Sequence, residues 1–380
     1  MTVPRMRVAH IHGQCTRSRG IARYAVSLAE ELARIGHEVH YIHAERSDVD
    51  APAVSFHRLR VLQSPHSFEW FQFAHASLRC SRRIAPDLIH THGDVPFGDV
   101  VTAQSCHKRG MQIRRELRES RGPHNFGIVD ALRLHTEKRL YRYRTARHII
   151  AVSSGVKQEL QEEYGVSPDR ITVIPNGVDL QSFGKDRNIH ARTAVRRDLD
   201  IPSTDVVLLI VANEFSRKGL RIVIDALCLL QDSRTWLLVA GADEPAPYKD
   251  LAERRGVNGR VRFLGVPPRM ENVYAAADLF VMPSYYEAFS LATLEAAASG
   301  LPLVVTKVNG AEELVVEGKN GTFVNRDPAD VASKILSIVQ EPSRITAMSL
   351  EARLSAERYS WPNIVSRVLE VYARLLREGQ

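Results

Sequence analysis

No apolar run in this chain of 380 residues reaches the roughly 18 positions needed to cross a bilayer, so no spanning helix is expected. Cysteine is scarce. The four present, Cys15, Cys80, Cys106 and Cys228, are scattered and form no C-x-x-C pair, which excludes a disulfide framework and the usual zinc spacings. Met1 to His12 has no long apolar core followed by a small-residue cleavage site, so it reads as a lead into a strand and not as a signal peptide. These absences give the expectation of a cytoplasmic protein with free thiols. A fixed-period repeat, a low-complexity tract and the G-x-G-x-x-G dinucleotide spacing are also missing.

What is present is ordinary in bulk: 44% hydrophobic and 25% charged residues, as in soluble globular proteins. The length predicts two domains. Short apolar runs alternate with helical periods, which predicts α/β architecture with parallel sheets. Arg7 to His12 reads as a strand. A helix follows with Ile21, Ala25, Leu28, Leu32 and Ile35 on one face, ended by Gly36. Strands are expected at 39–43, 88–90, 100–103, 148–152 and 171–174. The pattern restarts at 206–212 and continues at 236–240, 261–264, 279–282, 303–306 and 322–325. The polar stretch from Asn176 to Ser203 fits a linker. Ligands of such folds bind at the carboxyl ends of the strands.

The net charge of +7 is concentrated: Lys108 to Arg147 holds twelve Lys/Arg against four Asp/Glu, a net +8, so the remainder carries −1. Such a segment attracts anionic surfaces, or is a solvated basic face. Nothing resembling a base-stacking motif or recognition helix accompanies it, so nucleic acid is not an expected partner.

Four constellations carry chemistry. Pro283 to Pro302 runs from a strand end through Glu287, Ala288, Phe289, Ser290 and Leu291 into an Ala-rich helix containing Glu295. Backbone N–H groups at that helix start offer a phosphate cradle, and two carboxylates suit sugar and ribose hydroxyls. Arg217-Lys218-Gly219 closes the first strand of the second half, where two cations suit a diphosphate and the charge it gains as a leaving group. Gly20, in Ser18-Arg19-Gly20-Ile21, precedes the first helix and permits close backbone approach. His90-Thr91-His92 and Gln104-Ser105-Cys106-His107 stand at two strand ends. Two histidines without a third ligand make a poor metal site. Asp48-Val49-Asp50 and Asp198-Leu199-Asp200 read as solvated acids.

The segment Glu287 to Glu295, with Phe289 and the Glu-Ala-x-Ala-x-Gly-x-Pro run, resembles the E-x₇-E signature of the retaining glycosyltransferases of family four. That resemblance runs from about residue 7 to 376 and implies the GT-B fold: two Rossmann-like α/β domains with parallel sheets facing an interdomain cleft. It implies an acceptor-binding domain over 1–178, joined by a C-terminal helix at 362–380, and a nucleotide-sugar-binding domain over 179–361. By the same resemblance Glu287 meets the donor sugar, Glu295 the ribose, Ala288 to Leu291 the sugar and diphosphate, and Phe263-Leu264 the base. Arg217 stands in for the family's usual Gly-Arg, replaced here by Ala212-Asn213. Catalysis is thereby assigned to Arg217, Lys218 and Glu287. The acceptor or sugar side falls to His92, Gln104 and His107, Gln104 occupying the place of a common family histidine.

The implied reaction is glycosyl transfer with retention to a hydroxyl of a glycan, lipid-linked or small-molecule acceptor. The nucleoside-diphosphate sugar is co-substrate, and neither a cofactor nor a metal is required. The basic segment adds an anionic membrane surface as an expected partner, which would place the protein peripherally on the inner face. Two alternatives remain: a weak or inactive sugar- or partner-binding member, and a GT-B relative of other chemistry such as a nucleotide-sugar epimerase.

Overall fold

The computed structural model describes residues 4–62, 66–119, 127–184, 189–231 and 234–378. Parts of the basic segment (120–126) and of the expected linker (185–188) lie outside the described residues. The chain divides into two compact units, Met1–Gly177 with Trp361–Gln380, and Val178–Ser360.

The first unit contains β1 (Arg7–Ile11), α1 (Gly20–Arg34), β2 (Glu38–His43), β3 (Val54–Arg58), α2 (His66–Ile84), β4 (Leu88–Thr91), β5 (Gly98–Ala103), α3 (His107–Glu119), α4 (Ile128–Glu137), β6 (Ala146–Ala151), α5 (Ser154–Tyr164) and β7 (Ile171–Val173). Its strands form one parallel sheet in the order β3-β2-β1-β4-β5-β6-β7. The second unit contains α6 (Ile189–Asp198), β8 (Val206–Val211), α7 (Leu220–Leu229), β9 (Thr235–Ala240), α8 (Ala246–Arg254), β10 (Val261–Gly265), α9 (Met270–Ala276), β11 (Leu279–Met282), α10 (Leu291–Ala298), β12 (Leu303–Thr306), α11 (Ala311–Leu314), β13 (Gly321–Val324), α12 (Pro328–Val339) and α13 (Pro342–Glu357). Its parallel sheet runs β10-β9-β8-β11-β12-β13. The last helix, α14 (Trp361–Glu378), belongs to the first unit.

Central strands here are apolar along their whole length because helices cover both faces of a parallel sheet. Leu279 to Met282 and Leu303 to Val305 are all buried. On one face of the first sheet, Tyr24, Leu28 and Leu32 of α1 share a core with Ile364, Val368 and Tyr372 of α14. Gly36 ends α1 as expected, with φ +98°. The predicted stripe is narrower than five residues, however: Ile21 and Ile35 are 40% and 45% exposed. Ile35 lies past the last helical residue, and Ile21 sits in the first turn beside a cavity.

Two expectations need correction. The stretch read as a linker holds α6, whose Arg192 and Arg196 grip the two oxygens of Asp278 at 2.6 and 2.7 Å. Asp278 also accepts the amide of Val207 at 2.7 Å, so α6 is pinned to the start of β8. Its charged i, i+4 arginines hid a structural role behind a polar pattern. The edge strand β3 was not anticipated, because five residues ending in His57-Arg58 give too short an alternation to register.

Candidate functional site

In the second unit, the loop after β8 and the loop before α10 are bound to each other. Gly219 takes φ +79°, and a Cβ there would lie 2.4 Å from the carbonyl oxygen of Pro283, so only glycine fits. The amide of Tyr285 donates to the Arg217 carbonyl at 2.9 Å. This closeness places Lys218 Nζ 2.6 Å and Arg217 Nη1 3.2 Å from Oε1 of the buried Glu287. Arg217 also bonds the Tyr286 carbonyl, and its Nε and Nη2 hold the two oxygens of Glu214 at 3.1 and 3.3 Å. Burial opposes the charge on Glu287, but Lys218 and Arg217 outweigh it and hold the carboxyl below its ordinary value. Burial likewise pulls Lys218 down, against the attraction of Glu287.

Ser290 caps α10, its hydroxyl accepting the Thr293 amide at 3.2 Å. The amides of Leu291 and Ala292 have no acceptor among the described residues, which leaves donors at the positive end of the helix. Ala288 and Phe289 lie in the loop that leads there, with Phe289 against Gly310, where φ is +76° and a Cβ would be 2.7 Å from the ring. Glu295, buried, accepts the hydroxyl of Tyr274 at 3.0 Å. Phe263 and Leu264 are half-buried at the carboxyl end of β10. Tyr274 and Glu214 were not anticipated. Glu214 stands three residues before Arg217, a spacing that pairs charges and could have marked it, whereas no pattern marks Tyr274.

In the first unit, a cavity of about 960 Å³ opens at the carboxyl ends of the strands, with His92, Gln104, His107 and Gly20 in its wall. Gln104 donates to Asn176 at 3.1 Å. His107 Nε2 lies 3.1 Å from Asp130 Oδ1. Burial, with Arg133 and Arg114, pushes His107 down to about 4 against the pull of Asp130, so the ring is neutral at physiological pH. Asp130, Arg133 and Glu137 follow i, i+3, i+7 along α4. Glu137 accepts the backbone amides of His107 and Lys108, at 2.7 and 3.3 Å, which is why α4 and the start of α3 stay together. Gly20 opens α1 without a positive φ.

His92 is not a surface group. It is buried, with Nε2 3.1 Å from His10 Nδ1 and its ring stacked on His90 at 4.6 Å. His90 spends both nitrogens on hydroxyls, Tyr372 at 2.6 Å and Thr102 at 2.7 Å. Nitrogens of His10, His90 and His92 approach within 4.8 Å of one another, a trio the sequence reading reduced to two. His90 has no lone pair to spare, and rings stacked face to face belong to a hydrogen-bonded core. Burial pushes His10 down to about 3, and His90 and His92 well below the usual histidine value. Asp48, Asp50 and Asp198 are exposed, as read from the sequence.

The profile described as "Glycosyl transferases group 1" matches residues 191–357, and that described as "Glycosyltransferase Family 4" matches residues 18–182. The chain belongs to the group 1, family four glycosyltransferases. An uncharacterised glycosyltransferase of Methanocaldococcus jannaschii is 27% identical over 370 residues, covering 93% of this chain and 94% of its own. A D-inositol 3-phosphate glycosyltransferase of Corynebacterium urealyticum is 33% identical over 232 residues, covering 57% and 54%, so the match spans about half of that relative. Among solved structures, WaaG, a glycosyltransferase involved in lipopolysaccharide biosynthesis, superposes with TM-score 0.82 at 21% identity, covering 96% of this chain and 99% of WaaG. HepE of Anabaena, in complex with UDP and glucose, gives 0.77 at 18% identity, covering 96% and 99%. These neighbours show the fold: α/β, GT-B, with two Rossmann-like parallel-sheet domains. For a family-four glycosyltransferase, the arrangement brings Arg217, Lys218 and Glu287 into one cluster, with Ser290 and Leu291 at the adjoining helix start.

Proposed function

We propose that this glycosyltransferase moves a sugar, with retention of anomeric configuration, from a nucleoside-diphosphate sugar to an acceptor hydroxyl. The observation that carries the reading is the buried Lys218–Glu287 pair beside a helix start with unspent amides. Lys218 has one ionic partner and further N–H donors to give a diphosphate. The amides of Leu291 and Ala292 add the helix dipole. Glu287, kept ionised, accepts hydrogen bonds from sugar hydroxyls, and Glu295, steadied by Tyr274, from the ribose. Phe263 and Leu264 meet the base. That a structural neighbour was solved with UDP and glucose supports a UDP-sugar as the first donor to try.

Retention follows, in this reading, from attack on the face the diphosphate leaves. The departing phosphate oxygen takes the acceptor proton as the new glycosidic bond forms. Lys218 and Arg217 stabilise the charge the leaving group gains, so no metal or cofactor is needed. The first unit's cavity receives the acceptor, a small molecule, glycan or lipid-linked glycan, with Gln104, His107 and His92 in its wall. The described part of the basic segment, with Ile128 and Tyr143 exposed among its cations, is the face for peripheral docking on an anionic cytoplasmic leaflet.

A thermal-shift screen of nucleotide sugars on wild type, Glu295→Ala and Lys218→Ala tests the donor site. One donor should stabilise wild type and neither variant. Equal stabilisation of all three removes the site assignment. Product stereochemistry by NMR tests retention, and an inverted anomer would refute it. Full turnover in EDTA is expected. Liposome flotation at low salt checks the membrane face.

A further inference from the structure

The second unit has a cavity at the edge of its sheet that the donor cluster does not use. It measures about 290 Å³ and lies at the amino ends of β11 and β12, with Asp278 and Leu301 in its wall. Lys218 and Glu287 follow the carboxyl ends of β8 and β11, at the opposite edge of this parallel sheet. The volume stands at the low end for small-molecule sites and suits a ligand of monosaccharide size.

The two charged groups in the wall are matched inside the protein. Asp278 Oδ1 takes Arg192 at 2.6 Å, and Oδ2 takes Arg196 and the Val207 amide, each at 2.7 Å. Arg192 Nη1 also donates to the carbonyls of Ala275, Ala276 and Ala277 at 3.3, 3.3 and 2.9 Å. A charged ligand would give up its water for a wall that offers it no counter-charge, which favours a neutral one. The remaining polar groups are hydroxyls. Ser299 Oγ is buried and has no hydrogen-bond partner among the described residues, and Ser349, reaching in from α13, is buried too. The half-buried Phe183 ring stands T-shaped against Tyr274, their centroids 5.5 Å apart. An unpaired hydroxyl beside an aromatic ring suits a molecule with hydroxyls and C–H faces of its own, which describes a sugar or small polyol.

Tyr274 connects this cavity to the donor site. Its ring belongs to the wall, while its hydroxyl lies 3.0 Å from Glu295 Oε2 and 3.2 Å from the Ala292 carbonyl. Ser299 ends the same helix, α10, whose first turn offers the amides of Leu291 and Ala292. A ligand packed here steadies the hydroxyl that aims Glu295, so a donor then meets a group already ordered.

We infer that this cavity is a regulatory site for an uncharged sugar or polyol of monosaccharide size, and that its occupation tightens donor binding through Tyr274 and Glu295. The coupling rests on the donor role proposed above for Glu295, whereas the binding of the sugar does not.

Calorimetric titration of the full chain tests both halves. The probes are matched pairs: glucose and glucuronate, galactose and galacturonate, mannose and mannuronate. At least one hexose should saturate the protein and bind about tenfold or more tightly than its uronate. Ser299→Ala should weaken that hexose about tenfold and melt no lower than wild type, since it deletes a hydroxyl without a protein partner. The bound hexose should raise the affinity for UDP about fivefold, and UDP should raise the affinity for the hexose by the same factor. Tyr274→Phe should still bind the hexose and should lose the coupling. The inference is overturned if no hexose saturates, or if the uronates bind as tightly. Hexose affinity indifferent to Ser299→Ala places the ligand elsewhere and overturns it too, as does a UDP affinity left unmoved or lowered by the sugar. Hexose binding that depends on Ser299, in a chain that never binds UDP, would count against the donor reading alone.

Discussion

Lys218 Nζ lies 2.6 Å from Glu287 Oε1, both side chains almost wholly buried, and the two come from loops 69 positions apart. This ion pair fastens two strand ends of the second sheet and sets the charge at the candidate donor site. Removing one partner strands the other charge in the interior. Lys218→Ala should therefore destabilise the fold by about 3 kcal/mol, since Arg217 compensates only in part. Lys218→Met with Glu287→Gln together should cost less than the single alanine change. Urea denaturation of Lys218→Ala, Lys218→Met, Glu287→Gln and the double variant checks this, and additive losses in the last three would refute the coupling.

Glu287 also has a pH signature. Its folded carboxyl titrates below its ordinary value of 4.5, so the unfolded chain takes up the proton first as pH falls. The stability it contributes is complete above that ordinary value and is lost as pH drops towards the folded pKa. Glu287→Gln should flatten that part of the acid limb in a plot of stability against pH. An unchanged acid limb would mean the carboxylate is not held low.

The stacked histidines give a second and separate pH dependence. His10 is pushed down to about 3, and His90 and His92 well below their ordinary 6.5. Below about pH 6.5 the unfolded chain binds protons at these positions and the folded chain does not. Stability should then fall by up to about 1.4 kcal/mol per pH unit for each ring. Melting temperature measured from pH 8 to pH 5 should drop most steeply below 6.5, and His10→Leu should reduce the slope. EDTA should leave the melting temperature unchanged, and a chelator-induced drop would show that the trio holds a metal.

Glycine substitutions separate strain from collision. Gly36 and Gly219 both take positive φ, but a Cβ at Gly36 meets nothing within 4 Å, whereas at Gly219 it meets the Pro283 carbonyl at 2.4 Å. Gly36→Ala should cost about 1 kcal/mol from backbone strain alone. Gly219→Ala should cost at least about 2 kcal/mol more and abolish stabilisation by the donor, because Arg217 and Lys218 move with it. Matching losses at the two sites would mean the loops are not in contact.

Tyr274→Phe removes one hydroxyl and little volume. It should lower stability by about 1 kcal/mol while raising the donor KM roughly tenfold, because Glu295 loses the group that aims it. An unchanged KM would leave the tyrosine a purely structural partner.

Much of this was legible in the sequence because buried strands advertise themselves. Leu279 to Met282 is an uninterrupted apolar run and Leu303 to Val305 another, closed by Thr306, and the observed bounds of both strands are those expected. The Glu287 segment was legible through its likeness to a known signature. The pairing of Arg217 and Lys218 with that segment was legible too, but the direct ion pairs with Glu287 were not, since they depend on how closely two loops approach, which Gly219 and Pro283 decide. The helix α6 was missed because its function is to clasp Asp278 with arginines, and a polar helix looks like a linker. His10 was passed over because a single histidine in an apolar strand carries no pattern, and its partners are 80 and 82 positions away.

The helix α14 has a consequence for the order in which the protein is made. Tyr372 supplies the hydroxyl bonded to His90, and Ile364 and Val368 fill the core under α1. The first half of the chain therefore leaves the ribosome without the last piece of its own interior. At about 5–20 residues per second, it waits on the order of ten seconds or more for that piece to be translated. The second unit, contiguous from Val178 to Ser360, is free to close in the meantime. A nascent chain stalled at Ser360 should expose its earlier half to protease and protect its later one, reversing the usual order in which a polypeptide acquires resistance.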